Sequence, residues 1–248
     1  MMLLGCESTS ALVPSEQHHE SPKIVESVLP PVSRGFNAIP KDGADPFPEV
    51  CAIRTIFGEL ICTGTLIDPN IVLTAGHCLC NDFDIFWVEV GGDLYSVKKV
   101  IQHPEYQIGL NSIHNDAAII VLNQNVGSIT PVCLNSESLM AYKGTAVVTA
   151  GYGSNIKKYS PLGLFWYYGT LESEPTNLKI LTLRGSSIFH GDSGGPVYML
   201  INCRLVMVGI NSSYSIQDNK IYENSACRVD VIYDWIIRTA ENERMVPN

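Results

Sequence analysis

Positive charge is scarce in this sequence. Sixteen Lys and Arg stand against 25 Asp and Glu in 248 residues, a formal net charge of −9. The cations do not cluster, so there is no footprint for a phosphate backbone or an anionic lipid surface, and nucleic acid is not an expected partner. Long apolar runs are lacking too. Stretches such as Ala117–Leu122 and Leu205–Ile210 fall far short of the roughly 20 residues that cross a bilayer, so no transmembrane span is expected. No internal repeat recurs at a fixed period, which sets solenoids aside. Charge of either sign is sparse, at 17% against 46% hydrophobic residues, a balance too apolar for a disordered chain and suited to a packed core.

Cysteine, by contrast, is plentiful. Eight of them, several beside strand-like runs, fit disulfides in an exported protein better than thiols in a reducing cytosol, and predict a secreted, periplasmic or cell-surface setting. The plainer alternative is that some are buried thiols acting as small hydrophobes. Met1–Cys6 reads Met-Met-Leu-Leu-Gly-Cys and is followed by Glu7-Ser8-Thr9-Ser10, which resembles the end of a bacterial lipoprotein signal and makes Cys6 a candidate lipid anchor. The charged start and apolar stretch of about 7–15 residues that such a signal needs are missing. Two readings stay open: a truncated leader, or an ordinary cysteine.

Residues 7 to about 48 are rich in Ser, Pro, Glu and His, with Pro30-Pro31, Pro40, Pro46 and Pro48, so the first 35 residues are assigned to a tether or pro-segment. From Val50 onward come short runs of Val, Ile, Leu and Thr broken by turn signals, among them Gly58-Glu59, Asp68-Pro69-Asn70, Gly91-Gly92 and Gly151-Tyr152-Gly153. That pattern predicts an all-β fold of barrels or sandwiches. One helix is predicted over Asp230–Glu243, where Val231, Ile232, Trp235, Ile236 and Thr239 recur at helical spacing.

Gly191-Asp192-Ser193-Gly194-Gly195-Pro196 sets a hydroxyl between residues whose backbone turns tightly and approaches a ligand closely. The amides of Gly191 and Ser193 are candidate donors to an oxyanion. Alone, such a string is a glycine-rich surface turn. A serine hydroxyl needs a base to take its proton as it attacks. His77, in Thr74-Ala75-Gly76-His77-Cys78 at the end of a predicted strand, is the best placed of the six histidines. His190 is its rival, but it lies three residues from Ser193, and loop neighbours seldom reach one another in the geometry of proton transfer. The base needs a carboxylate to fix its tautomer. Asp116 opens the apolar run Ala117–Leu122, where burial without a partner is expensive; by itself it is a turn residue entering a strand.

Together these strings resemble the chymotrypsin-like (trypsin-fold) serine peptidases: Leu73–Cys78, Asn115–Ile119 and Gly191–Pro196, in the family's order His, Asp, Ser. Weaker echoes are His103-Pro104-Glu105-Tyr106, Val132-Cys133-Leu134, Gly151-Tyr152-Gly153 and the terminal helix around Trp235. The likeness runs over about residues 36–243. It implies two six-stranded antiparallel β-barrels with a carboxy-terminal α-helix, the first barrel in 36–130 carrying His77 and Asp116, the second in 131–248 carrying Ser193. It implies peptide-bond hydrolysis through an acyl-enzyme, protein or peptide substrates, protein inhibitors as further partners, and no cofactor. A Cys62–Cys78 bridge matches the family's histidine-loop disulfide, and a Cys203–Cys227 bridge is expected between neighbouring strands of the second barrel. Cys6, Cys51, Cys80 and Cys133 then allow three pairings. A zinc site at Cys62, His77, Cys78 and Cys80 is set aside, because adjacent His77-Cys78 is poor spacing for one tetrahedron.

The resemblance places Ser187 at the base of the primary specificity pocket, with His190, Ser212 and Tyr214 as further substrate-binding residues. No carboxylate waits there for Lys or Arg, so an apolar or aromatic side chain is expected before the scissile bond. Phe189 replaces the family's usual cysteine, and Ser212-Ser213-Tyr214 stands for Ser-Trp-Gly, with Tyr214 positioned to narrow the pocket. Asp192 is the expected activation partner of a newly cut amino terminus. The usual Ile-Val-Gly-Gly is absent; cleavage near Arg34 or Gly35 is the expectation. The competing function is a catalytically silent binding module on the same fold.

Overall fold

The computed structural model describes residues 45–79, 85–109, 113–142, 145–153, 158–166, 177–182, 188–217 and 220–244. All of these belong to one compact unit, Gly35–Asn248. Cys6, Arg34, Gly35, Cys80 and Ser187 lie outside the described residues.

The first barrel is built from β1 (Val50–Thr55), β2 (Leu60–Asp68), β3 (Ile71–Thr74), β4 (Ile85–Val90), β5 (Asp93–Gln102) and β8 (Ala118–Leu122), closed in the order β1-β2-β3-β8-β5-β4. A small ribbon of β6 (Gln107–Ile108) and β7 (Ile113–His114) precedes β8. β3 and β8 are buried at every position, which is why their sequences read as unbroken apolar runs rather than as an alternation. Each fully buried Ile or Leu there contributes roughly 1.5–3 kcal/mol.

The second barrel comprises β9 (Ala146–Gly151), β10 (Lys158–Trp166), β11 (Asn177–Thr182), β12 (Pro196–Ile201), β13 (Arg204–Gln217) and β14 (Lys220–Arg228), closed as β10-β11-β14-β13-β12-β9. Leu139, Val147, Val197, Met199, Val208 and Ala226 form its own apolar cluster. A larger cluster runs through both barrels. At that seam the Phe47 ring stacks on Tyr198 with centroids 5.0 Å apart, and the buried Tyr198 hydroxyl donates to the Glu49 carboxylate. Burial, reinforced by the Glu49 charge, pushes that phenol well above its ordinary value.

Helix α1 (Val229–Glu243) packs against β8 and β13. It buries Val229, Ile232, Ile236 and Ala240, spaced three or four apart, while Val231 is exposed; the apolar stripe is therefore rotated slightly from the one expected. Asn70 Nδ2 donates to the Glu243 carbonyl, one of the orphan acceptors at the helix end, and Arg244 pairs with Asp68. Both contacts fasten α1 to the β2–β3 turn.

Cys62 and Cys78 are joined, with their Cα atoms 6.3 Å apart. The expected Cys203–Cys227 bridge is not formed, and both are free thiols. The register gives the reason. Cys203 sits with Asn202 in the tight β12–β13 turn, both at positive φ, whereas Cys227 is buried opposite Ile210, seven residues further along β13. At about 3.3 Å per residue that is roughly 23 Å, against the 7 Å that a disulfide tolerates.

Candidate active site

His77 lies in the 3₁₀ turn Gly76–Leu79 that follows β3. Gly76 is required by a close approach: a Cβ there would stand 2.9 Å from the Tyr106 ring and 3.1 Å from the Ala117 carbonyl. The Cys62–Cys78 bridge pins the next residue to β2, and Gln102 Nε2 holds the Gly76 carbonyl at 2.8 Å. Asp116 stands at a tight bend. Asn115 takes φ +48°, a conformation Asn tolerates, and the Ala117 amide donates back to its carbonyl at 2.7 Å, so the carboxylate turns inward as β8 begins.

The Asp116 side chain is wholly buried. Its Oδ1 accepts the His77 backbone amide at 2.8 Å, and its Oδ2 faces His77 Nδ1 at 2.8 Å and accepts the Ser212 hydroxyl at 2.5 Å. Burial by itself would raise this carboxyl; the bonds and charge of His77, with the Ser212 hydroxyl, outweigh it and hold the group below its ordinary value. An ionised carboxylate only accepts, so the neutral imidazole carries its proton on Nδ1 and leaves Nε2 as the acceptor. The His77 side chain is about one-quarter exposed.

Ser193 sits in a turn gripped from three sides. Its carbonyl accepts the Thr63 amide at 2.8 Å, Gly194 N donates to the Asn211 carbonyl, and Asn211 N donates to that of Gly195, each at 2.8 Å. Gly194, at φ +81°, has no room for a side chain: a Cβ would fall 2.1 Å from Thr74 Oγ1 and 2.9 Å from the Ala75 amide, only two residues before His77. The nucleophile turn is thus pressed against the histidine turn. The Asp192 carboxylate is buried and accepts the Gly153 amide at 2.7 Å and the Phe189 amide at 2.8 Å. Gly191, itself a candidate oxyanion donor and next to the exposed His190, has φ +92°.

Of the residues expected around the substrate, His190 and Tyr214 meet: the Tyr214 hydroxyl is 3.1 Å from His190 Nε2, with the rings edge to face. Ser212 is the extra residue of a bulge in β13, where Asn211 pairs with Ala226 and Ser213 with Ser225. Bulges re-aim side chains, and here the Ser212 hydroxyl meets Asp116. The zinc reading meets oxidised sulfurs, since Cys62 and Cys78, which lie beside the His77 ring, are bonded to each other.

Two residues, Asn224 and Thr63, and one contact, that of Cys227 with Asp116, were missed in the sequence. Cys227 lies against Asp116, and burial, with that charge added, pushes its thiol up. Asn224, opposite Tyr214, is fully buried with neither end of its carboxamide bonded. Thr63, buried in β2, bonds through both its hydroxyl and its backbone to the second barrel. The signal for Thr63 was legible in principle: Thr63 and Thr65 alternate inside an apolar strand, and inward hydroxyls demand partners.

Comparison with known proteins shows the family. The family description "Trypsin" matches residues 41–236. Relatives include venom serine protease 34 of Apis mellifera, 28% identical and covering 79% of this chain and 56% of that protein. The urokinase-type plasminogen activator of Gallus gallus is 26% identical over 62% of this chain and 45% of its own length. Granzyme M of Homo sapiens is 32% identical over 39% and 41%. The chain spans about half the length of these relatives. With two closed barrels, a buried Asp116 on His77 and a family match over most of its length, this chain belongs to the trypsin family of chymotrypsin-like serine peptidases.

Proposed function

We propose that the chain is a serine endopeptidase that cuts protein or peptide substrates through an acyl-enzyme. The observation that carries this reading is the Asp116–His77 couple, a buried carboxylate with both oxygens engaged, beside the turn that holds Ser193. In the proposed reaction Ser193 Oγ attacks the peptide carbonyl while His77 Nε2 takes its proton; Asp116 stabilises the imidazolium. The oxyanion meets the amides of Gly191 and Ser193, each donor worth roughly 10²–10³ in rate. His77 then passes the proton to the leaving amine, and water repeats the sequence on the ester to release the acid. No cofactor takes part in these steps.

A neutral Ser187 and the Tyr214–His190 pair favour apolar or aromatic side chains before the scissile bond. The Cys62–Cys78 bridge favours an oxidising, extracytoplasmic setting. Among the described residues no helix is long and apolar enough to cross a membrane. Cleavage near Arg34 or Gly35, at the start of the compact unit, would supply an ammonium for Asp192. Amino-terminal sequencing of the active form tests this, and an uncut active chain overturns it.

The decisive experiment is labelling with a serine-directed fluorophosphonate. Wild type is expected to label and Ser193→Ala to stay unlabelled and to lose peptide hydrolysis by at least roughly 10⁴-fold. A wild type that neither labels nor hydrolyses a peptide library overturns the endopeptidase and leaves the silent binding module.

A further inference from the structure

Thr63 ties the first barrel to both loops framing the candidate oxyanion site. Its Oγ1 donates to the Gly191 carbonyl at 2.7 Å and accepts the Tyr152 amide at 2.9 Å. Its own amide donates to the Ser193 carbonyl at 2.8 Å, and its carbonyl accepts the Thr74 hydroxyl at 2.8 Å. The residue is fully buried, so no water competes for these bonds, and a neutral hydrogen bond there is stronger than at the surface.

The position of the Gly191 carbonyl gives this bond its meaning. It belongs to the peptide between Gly191 and Asp192, which lies between the two peptides whose N–H groups, those of Gly191 and Ser193, are the candidate oxyanion donors. Gly191, at φ +92°, has the backbone freedom to let that middle peptide rotate. If it rotates, the flanking donors no longer converge. Two partners oppose rotation: the Asp192 amide, bonded to the Phe189 carbonyl at 2.9 Å, and the Thr63 hydroxyl on the other end of the same peptide. The successive amides of Tyr152 and Gly153 then lock Thr63 Oγ1 and Asp192 Oδ1 to the same segment of the second barrel.

We propose that Thr63 is a positioning residue for hydrolysis, whose hydroxyl holds the Gly191–Asp192 peptide so that the oxyanion donors face one point. This rests on the endopeptidase reading and extends it to a residue that touches neither substrate nor any reacting atom. A donor aimed at charge that develops only in the transition state affects kcat rather than substrate binding. Loss of the hydroxyl is therefore expected to lower kcat and leave KM nearly unchanged.

The test compares wild type with Thr63→Val, which keeps the shape and removes the hydroxyl, and with Thr63→Ser, which restores it. Thr63→Val is expected to lower kcat about 10–100-fold with KM within about twofold, and to weaken a peptide boronate inhibitor in parallel; Thr63→Ser is expected within about threefold of wild type on every readout. If Thr63→Val fails to fold, Thr63→Ala against Thr63→Ser carries the same comparison, because the smaller side chain leaves space for water to satisfy the Tyr152 amide. Unchanged kcat in the hydroxyl-free variant, a loss confined to KM, or a Thr63→Ser variant as slow as it overturns the proposal while wild-type hydrolysis upholds the endopeptidase. A wild type inert to fluorophosphonate overturns both.

Discussion

The two sides of the candidate active site are held by different means. On the first-barrel side, His77 and Asp116 stand at the ends of buried strands, and their geometry comes from side chains that bond to each other and to adjacent backbone. On the second-barrel side, Ser193 stands in a glycine turn held largely by main-chain bonds to Thr63 and Asn211, with the Thr63 hydroxyl and the Asp192 carboxylate reaching its backbone, and Gly194 leaves no room for a Cβ. On the first side, functional groups bond chiefly to one another. On the second, they bond to backbone that must stay free of side chains.

The contrast predicts opposite sensitivities. The largest effect is expected on the first side: Asp116→Asn should fold as wild type yet lose about 10⁴ in kcat, because an amide that donates to Nδ1 selects the wrong tautomer. Peptide hydrolysis near neutral pH, read beside a thermal melt, measures it; a variant that keeps activity would break the contrast. Next comes a single methyl on the second side. Gly194→Ala meets Thr74 Oγ1 at 2.1 Å and the Thr63 carbonyl at 2.3 Å with φ at +81°, and is expected to cost at least about 3 kcal/mol of stability. Urea unfolding checks this, and an unchanged midpoint would show that the turn yields.

The smallest effect sharpens the first side through pH. Asp116 titrates below its ordinary value of 3.8 in the folded chain, so the unfolded chain binds that proton more readily. The stabilisation is complete above that ordinary value and is lost as pH falls through the lower folded one. Ser212→Ala removes one of the bonds that depress it, so the folded value should rise towards the ordinary one; the acid-linked loss of stability should then be smaller and be complete at a higher pH, with kcat lowered a few-fold. Melts taken from pH 7 down to pH 3 compare the two chains; coincident curves would remove Ser212 from the account of Asp116.

The barrels and the residues to suspect were legible because they rest on local chemistry. Strands β2 and β3 around Asp68-Pro69-Asn70, the His77 setting and the glycines around Ser193 each carry their signal within a few consecutive residues. What was misread or missed depends on register. Cys203 and Cys227 look like neighbours until the tight turn at Asn202-Cys203 puts one at the tip and the other far along the ladder. The bond from the Ser212 hydroxyl to Asp116 was missed, because it depends on a bulge in β13 that no local spacing announces.

The sequence by itself determined an all-β, acidic, cysteine-bearing chain with Ser193, His77 and Asp116 as the residues to test, since periodicity and turn chemistry act over a handful of neighbours. Only the tertiary structure decided that Thr63, 128 residues from Gly191, shares a buried hydrogen bond with it. Pairing across such distances is settled when two closed barrels exclude water and every buried polar group must find its partner in whatever chain the fold brings near.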